Sequence, residues 1–521
     1  MIATRQKARP IDRNIFTSTR TVALVVAVAS AVALTAAFPK LDLAWIAPLA
    51  MAGLFWSWLT TPARSAFGIG FLSGAIFFAI MYSWFGVTAA RLVGPYGFLT
   101  VLGPALADAL AFAFAAAAAS LAFARAPGLP GALAGAAAFA LMEWARSVGM
   151  LGVPFAQIGY SQASSLFAAL AAYGGSLFVT FIIAAIGALV ASALVAPQTT
   201  RQSIAGIIGI AILTFAANLF WPARHAPPPT ITVSAIQGNI KQSVKWDPQS
   251  FIVSVQRYLA MTASVASAHP EFVLWPETVI TGALGDDDNL PANNVAAVRD
   301  LRSRFGALAK ANDTTIAVGS LELSGDGLHN ALYFFAPSGI LDEIYRKRQL
   351  VPYAEWIPAG KSLLGWFPYL EELGRQVPGR DPAVVAVGAL EVAPLICWES
   401  AFADVVHDQV ARGATLLAIA TDDGWFGESA GPYQHAQIAQ MRAIENGEWV
   451  VRAAATGVSG IIAPDGRWTQ RTGLDEQTIV TGLVGKPAPA WFARIGPWPV
   501  AFGLLAWYLL VFAFGRRWAN I

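Results

Sequence analysis

The sequence predicts two fold classes in one chain. A polytopic α-helical membrane domain of about eight spans carries a mixed α/β domain inserted before its last span. Three observations lead there. The 521 residues are 56% hydrophobic and only 13% charged, too apolar for an ordinary soluble protein. The apolar excess is uneven: long uncharged runs fill Thr21 to Pro222, whereas Thr230 to Ala488 has the composition of a soluble domain. Within that second stretch, short apolar strand-like runs alternate with helix-length segments.

The N-terminal tail carries Arg5, Lys7, Arg9, Arg13 and Arg20 ahead of the apolar run Thr21–Phe38. This pattern also fits a signal peptide, with Leu34-Thr35-Ala36-Ala37 as a cleavage-like site. Further membrane-length runs follow at once and favour an uncleaved first span. Spans are expected at 21–38, 43–59, 66–87, 96–124, 131–148, 166–195, 203–221 and 497–515. With the N-terminus inside, cytoplasmic segments hold ten Lys/Arg and the short external ones four, namely Lys40, Arg91, Arg146 and Arg224. That bias puts both termini inside and the α/β domain on the outer face. Asp108 falls within a span, where a carboxylate marks either function or a helix–helix hydrogen bond. Glu143 and Arg146 lie three apart on one helical face and are expected to pair.

The division expected is 1–225 for the first membrane domain, 226–490 for the α/β domain and 491–521 for the last span and tail. Ala226-Pro227-Pro228-Pro229 is a stiff linker between the first two. Strands are expected at 230–237, 272–275, 315–320, 331–336, 390–396, 416–420, 450–454, 460–463 and 478–483, and helices at 250–268, 294–311, 402–411 and 433–446. The net charge of +2 implies no strong polyanion partner, and no basic cluster with interleaved aromatics points to nucleic acid. Asp286-Asp287-Asp288 reads as a solvated loop, so neither a metal nor a cofactor is expected.

Cys397 is the only cysteine, which excludes an intrachain disulfide and a CxxC motif. It ends the apolar run Leu390–Ile396 just before a helix, a place where a thiol is exposed and backbone N–H groups can stabilise negative charge. Of the five histidines, only His435, near Trp425-Phe426-Gly427, is a plausible base. A carboxylate is the other option. Glu277 follows the apolar run Phe272–Trp275, and in open α/β sheets strand carboxyl ends border the active site. Desolvation beside Trp275 is expected to raise its pKa. The cationic run Arg346-Lys347-Arg348 is a solvated face unless one lysine turns inward to stabilise a thiolate and an oxyanion.

Glu277 in Trp275-Pro276-Glu277, Lys347 in Tyr345-Arg346-Lys347-Arg348-Gln349-Leu350-Val351-Pro352 and Cys397 in Ile396-Cys397-Trp398-Glu399, in that order, resemble the Glu-Lys-Cys triad of the nitrilase superfamily. Seven spans before such a domain and one after it are similar to the apolipoprotein N-acyltransferases of bacterial lipoprotein maturation. Gly152–Gln162, Gln237-Gly238-Asn239-Ile240 with Lys245-Trp246, Asp423–Gly427 and Gly431–His435 extend the likeness over nearly the whole chain.

The resemblance implies a nitrilase-like αββα sandwich for the α/β domain. It makes Glu277 the general base, Lys347 the thiolate and oxyanion stabiliser, and Cys397 the nucleophile. The Trp398 backbone N–H becomes a second oxyanion donor, Glu355 and Glu399 supporting acids, and Trp246 and Trp425 substrate-side residues. His435 is not a member of that triad. The implied donor is a phospholipid, phosphatidylethanolamine, cleaved at its sn-1 ester to a thioester on Cys397. The implied acceptor is the amine of a diacylglyceryl-cysteine at an apolipoprotein N-terminus. The bacterial inner membrane is the implied location, and a monomer is expected. The apolar side chains of Trp356–Tyr369 fit either a mobile lid dipping into the bilayer or a packed surface loop. Ala354, Asp422 and Ala455 depart from the family's usual Gly, Asn and Asn, and Ala354 puts the turn before Glu355 in doubt. The alternatives are a membrane-tethered nitrilase-type amidase and a diverged acyltransferase paralogue with another amine acceptor.

Overall fold

The computed structural model describes residues 13–285, 287–357, 376–488 and 490–518. Eight helices come first: α1 (Arg13–Thr35), α2 (Ile46–Leu59), α3 (Ala63–Met81), α4 (Ser83–Val93), α5 (Leu102–Arg125), α6 (Leu129–Ala145), α7 (Ala171–Val195) and α8 (Thr200–Leu219). Among the described residues five helical stretches are long and apolar enough to cross a membrane: Ala63–Met81, Pro95–Arg125, Ala168–Val195, Pro197–His225 and Pro497–Gly515. Arg20–Thr35, Ile46–Leu59 and Leu129–Ala145 are shorter apolar helices. The apolar segment expected at 66–87 is not one helix. It breaks at Tyr82 (φ −98°, ψ 10°), whose hydroxyl is bonded to Asp108 of α5 at 2.5 Å, and α4 starts there.

Small residues let these helices approach closely, as membrane helices require. A Cβ on Gly70 of α3 would fall 2.6 Å from the Phe112 carbonyl oxygen and 2.7 Å from Ala116 Cβ, both on α5. Helix α7 kinks at Gly175 (φ 71°), where a Cβ would strike the Phe492 ring. The next N–H, of Ser176, donates to Glu445 of the α/β domain.

That domain is built of two sheets. The first runs β13-β1-β2-β4-β5-β6, with β3 beside β4; the second runs β12-β11-β10-β9-β8-β7. The strands are β1 (Ile231–Gln237), β2 (Phe272–Leu274), β3 (Ile280–Ala283), β4 (Thr315–Ser324), β5 (Gly327–Phe335), β6 (Leu341–Arg346), β7 (Val385–Val387), β8 (Leu390–Ile396), β9 (Leu416–Thr421), β10 (Trp449–Ala454), β11 (Gly460–Ile462), β12 (Trp468–Arg471) and β13 (Thr478–Val484). Each sheet has a parallel centre, β1-β2-β4 in one and β8-β9-β10 in the other, flanked by antiparallel strands. Phe272, Leu274 and Phe334 of the first sheet pack against Ile396, Leu416 and Val451 of the second.

The short helix α9 (Gln242–Lys245) leads into α10 (Pro248–Ser264), which with α11 (Val295–Ala311) covers the outside of the first sheet. Helices α12 (Ala403–Ala411) and α13 (Gly431–Asn446) cover the outside of the second, completing four layers in the order αββα. Helix α13 is buried on both sides. Ala439 and Ala443 face the sheet, while Ile438, Met441 and Ile444 pack into the core of the membrane domain. Helix α14 (Trp491–Ile495) then leads into α15 (Pro497–Trp518), the last apolar helix. The two domains therefore share a core, and the end of strand β8 lies close to it.

Candidate active site

Three strand ends deliver the three side chains. Glu277 stands three residues past β2, Lys347 directly follows β6, and Cys397 directly follows β8. The apolar strands β2 and β8 place their neighbours at the carboxyl edge of the parallel centres. Lys347 Nζ lies 3.0 Å from Glu277 Oε1 and 2.8 Å from Glu355 Oε1, with the lysine fully buried. Asn330 of β5 donates to Glu277 Oε1 at 2.7 Å and to Glu355 Oε1 at 3.3 Å. The Asp422 N–H donates to Glu277 Oε2 at 3.0 Å. The basic run is thus split: Lys347 turns inward, while Arg346 pairs with Glu322 and Arg348 with Asp408.

Charge sets the resting protonation. Burial pushes Glu277 upward, but Lys347 and then Lys245 outweigh it, and its carboxyl is held below the usual 4.5. The rise expected from desolvation beside Trp275 is therefore reversed, because two ammonium groups reach the carboxylate. Burial pushes the Cys397 thiol well above its usual 9.0; Glu277 adds to this and Lys347 opposes it. Burial pulls Lys347 down, yet Glu277 and Glu355 keep it well above 10.5. At neutral pH the site rests as a thiol, a carboxylate and an ammonium, so the thiol needs a base to become a nucleophile.

The turn that carries Cys397, Cys397–Ala401, is a short 3₁₀ helix, and Cys397 has φ 50°. A non-glycine residue there is strained, and such strain persists only where surrounding bonds hold it. Glu399 does much of the holding. It is fully buried and accepts from the N–H groups of Ile396 (2.7 Å), Arg348 (2.6 Å) and Gln349 (3.2 Å) and from the Tyr345 hydroxyl (2.9 Å). One carboxylate thus ties the end of β8 to the residues after Lys347. The Cys397 carbonyl accepts from Ser400 Oγ at 2.9 Å. His435 Nε2 lies 2.9 Å from that hydroxyl and 3.1 Å from the carbonyl, and His435 Nδ1 lies 2.9 Å from Asp423 Oδ1. Arg452 closes the chain on Asp423 Oδ2 at 2.6 Å. With both ring nitrogens engaged, His435 shapes the turn and has no nitrogen left to serve the thiol.

The remaining expected residues lie around this centre. The Trp398 side chain is buried and stacks on Phe155 of the membrane domain, while its N–H lies in the first turn, where intrahelical partners are lacking. Trp246 is half exposed, with its ring 5.8 Å from Lys245 Nζ. The Trp425 carbonyl accepts from Thr88 of α4. The lid expected at 356–369 lies outside the described residues from 358 to 369. Glu355 Oε2 accepts from the Val351 N–H at 2.8 Å, closing the turn before it. The positive φ of that turn falls on Tyr353 (62°), not on Ala354, so the alanine carries no conformational cost there.

Sequence reading missed Asn330, Lys245 and Arg452. Asn330 gives no signal in a strand. The other two had one: Asp422 and Asp423 follow the apolar strand β9, and two adjacent buried acids need cations. Lys245 pairs with Asp422, and Arg452 with Asp423. The Asp422 departure thus accompanies a buried lysine beside Glu277.

Comparison with known proteins matches both halves of the chain. Residues 30–189 match the model of the apolipoprotein N-acyltransferase N-terminal domain, and residues 232–485 that of the carbon-nitrogen hydrolases. The apolipoprotein N-acyltransferase of Methylococcus capsulatus is 30% identical over 518 residues, covering 96% of this chain and 97% of the relative. That of Azotobacter vinelandii is 31% identical over 494 residues, covering 90% and 91%. A Nesterenkonia amidase of the nitrilase superfamily superposes on 53% of this chain and 98% of its own, with 19% identity and a TM-score of 0.40.

Proposed function

The chain belongs to the apolipoprotein N-acyltransferase family, and on that premise we propose how its residues carry the reaction. It is a membrane acyltransferase that N-acylates apolipoproteins. Glu277 takes the proton of Cys397 as Sγ attacks the sn-1 ester carbonyl of a phospholipid, phosphatidylethanolamine. Lys347 and the Trp398 N–H receive the oxyanion. The tetrahedral adduct collapses, Glu277 returns its proton to the leaving glycerol oxygen, and lysophospholipid departs from a Cys397 thioester. The free α-amine of a diacylglyceryl-cysteine then attacks. Glu277 takes its proton, and the amide forms as the thiol is regained.

The observation that carries this reading is the buried lysine bridging two carboxylates beside the only cysteine. A lysine kept charged cannot act as a base, and a thiol kept protonated needs one. The depressed carboxyl of Glu277 is the ionised group available. Glu355 holds the ammonium in place through its Oε1, and Glu399 holds the turn.

The protein is read as a monomer of the bacterial inner membrane with eight spans, both termini cytoplasmic and the catalytic domain periplasmic. The excess of Lys/Arg in the cytoplasmic segments supports that orientation. Tyr96, Phe98 and Leu99, beyond the α4 helix that holds Trp425, are exposed apolar residues suited to the membrane surface from which the donor lipid comes.

The test is Cys397→Ala in the full-length enzyme, assayed for N-acylation of a diacylated lipopeptide. Loss of transfer with the thermal transition retained is expected. Transfer at the normal rate in that variant would overturn the assignment.

A further inference from the structure

The membrane domain holds its own buried charge cluster, and it reaches the nucleophile turn. Arg146 caps the end of α6. Its Nε lies 2.9 Å from Glu143 Oε1, and its Nη1 lies 3.2 Å from Asp108 Oδ2 and 3.1 Å from the Tyr82 hydroxyl. The same Nη1 lies 2.7 Å from the Val153 carbonyl oxygen and 3.0 Å from that of Phe155. Glu143 Oε2 accepts from the Ile158 N–H at 3.1 Å. Val153, Phe155 and Ile158 lie on the link between α6 and α7, where 152–157 has neither helix nor strand. Side-chain charges thus supply the backbone partners that a ladder would give elsewhere.

What this link presents is the Phe155 ring. It is fully buried and stacks on Trp398 with centroids 5.1 Å apart and planes 19° apart. The Trp398 indole N–H is buried without a hydrogen-bond partner among the described residues, so packing alone fixes that ring. Further along the same link, the Tyr160 hydroxyl donates to the Ala401 carbonyl at 3.4 Å and accepts from Arg442 at 2.9 Å. The turn that carries Cys397 therefore rests at both ends on the membrane domain.

We propose that Arg146, held by Asp108 and Glu143, is a positioning residue for the acyl transfer. By pinning the 153–158 link it sets the Phe155–Trp398 stack, and with it the backbone N–H of Trp398 that receives the oxyanion. This rests on the Glu277–Lys347–Cys397 reading above. Lysine cannot replace Arg146 here, because Nε holds Glu143 while Nη1 holds Asp108 and the two carbonyls, and one ammonium cannot stand at both places; Nη2 is buried without a hydrogen-bond partner among the described residues.

The experiment compares two reactions of the only cysteine in the full-length protein. Acylation by phosphatidylethanolamine, read as intact mass over time, needs the oxyanion donors. Alkylation by iodoacetamide does not. In Arg146→Lys, acylation is expected to slow about tenfold, as for a donor displaced by a fraction of an ångström, with alkylation within about twofold of the parent. Phe155→Leu is expected to slow acylation in the same selective way, and the double variant to be no slower than the slower single. Normal acylation in Arg146→Lys would overturn the proposal. So would an equal loss of acylation and alkylation, which marks a merely structural role. Retained acyl transfer in Cys397→Ala would instead sink the underlying triad.

Discussion

Two buried clusters in this molecule have the same charge pattern and different roles. In the catalytic domain Lys347 sits between Glu277 and Glu355; in the membrane domain Arg146 sits between Asp108 and Glu143. What separates them is what the cation touches beyond the carboxylates. Lys347 has the thiol of Cys397 close enough to feel its charge, and its flexible stem can follow a developing oxyanion. Nη1 of Arg146 is committed to two backbone carbonyls and holds a loop. In the mechanism proposed above, one cluster spends its charge on a reacting atom, the other on the shape of the wall behind it. Like charges in like burial do not define function; the remaining bonding direction does.

Exchanging the cation types breaks this comparison most severely at the first cluster. Lys347→Arg is expected to slow thioester formation by about 10³-fold or more, since a rigid fork cannot occupy the place of a single ammonium. Single-turnover acylation measures it. Glu277→Gln removes the base while keeping the shape, and a loss of about 10²–10⁴-fold is expected in the same assay.

The pH dependence sharpens the contrast. Glu277 is held below 4.5, so acylation is expected to persist through mildly acidic pH and to fail only below that value. Alkylation of Cys397 by iodoacetamide is expected to keep rising past pH 9.0, because burial and Glu277 hold the thiol protonated. An alkylation rate flat from pH 6 to 9 would mean a resting thiolate. It would remove the need for Glu277 as base.

The smallest effect expected concerns the scaffold between the clusters. Burial, and then Arg452, hold His435 below its usual 6.5. Below that pH the unfolded chain binds more protons than the folded one, so stability is lost as pH falls, by up to about 1.4 kcal/mol per unit. Equilibrium unfolding is expected to show this loss in the parent and a shallower one in His435→Gln.

Legibility in the sequence followed the range of the interactions. Hydropathy located the apolar helices, since each is a local run. It missed the break at Tyr82, which depends on Asp108 of another helix. The Glu143–Arg146 pair was readable because the two residues are three apart. Its reach to Val153 and Phe155, and through Phe155 to Trp398, was not. Strand β6, Leu341–Arg346, reads as polar because it edges its sheet, and β3, β7 and β12 are short and partly exposed, unlike the equally short but fully buried β2 and β11. Glu277, Lys347 and Cys397 were singled out by their likeness, in order, to the nitrilase motif, and the fold brings them to neighbouring strand ends. Asn330, which donates to Glu277, arrives from a distant strand without a local mark, and Lys245 was signalled only from afar, by the adjacent acids Asp422 and Asp423.

The central claim is that Cys397 carries the acyl chain between two lipids. The most direct measurement is the intact mass of the full-length protein after incubation with phosphatidylethanolamine alone, and again after a diacylated lipopeptide is added. The account predicts the addition of one long-chain acyl group at Cys397, stable in water and discharged by the lipopeptide as its N-terminal amide. No adduct, or one that hydrolyses as fast without the amine as with it, would contradict it.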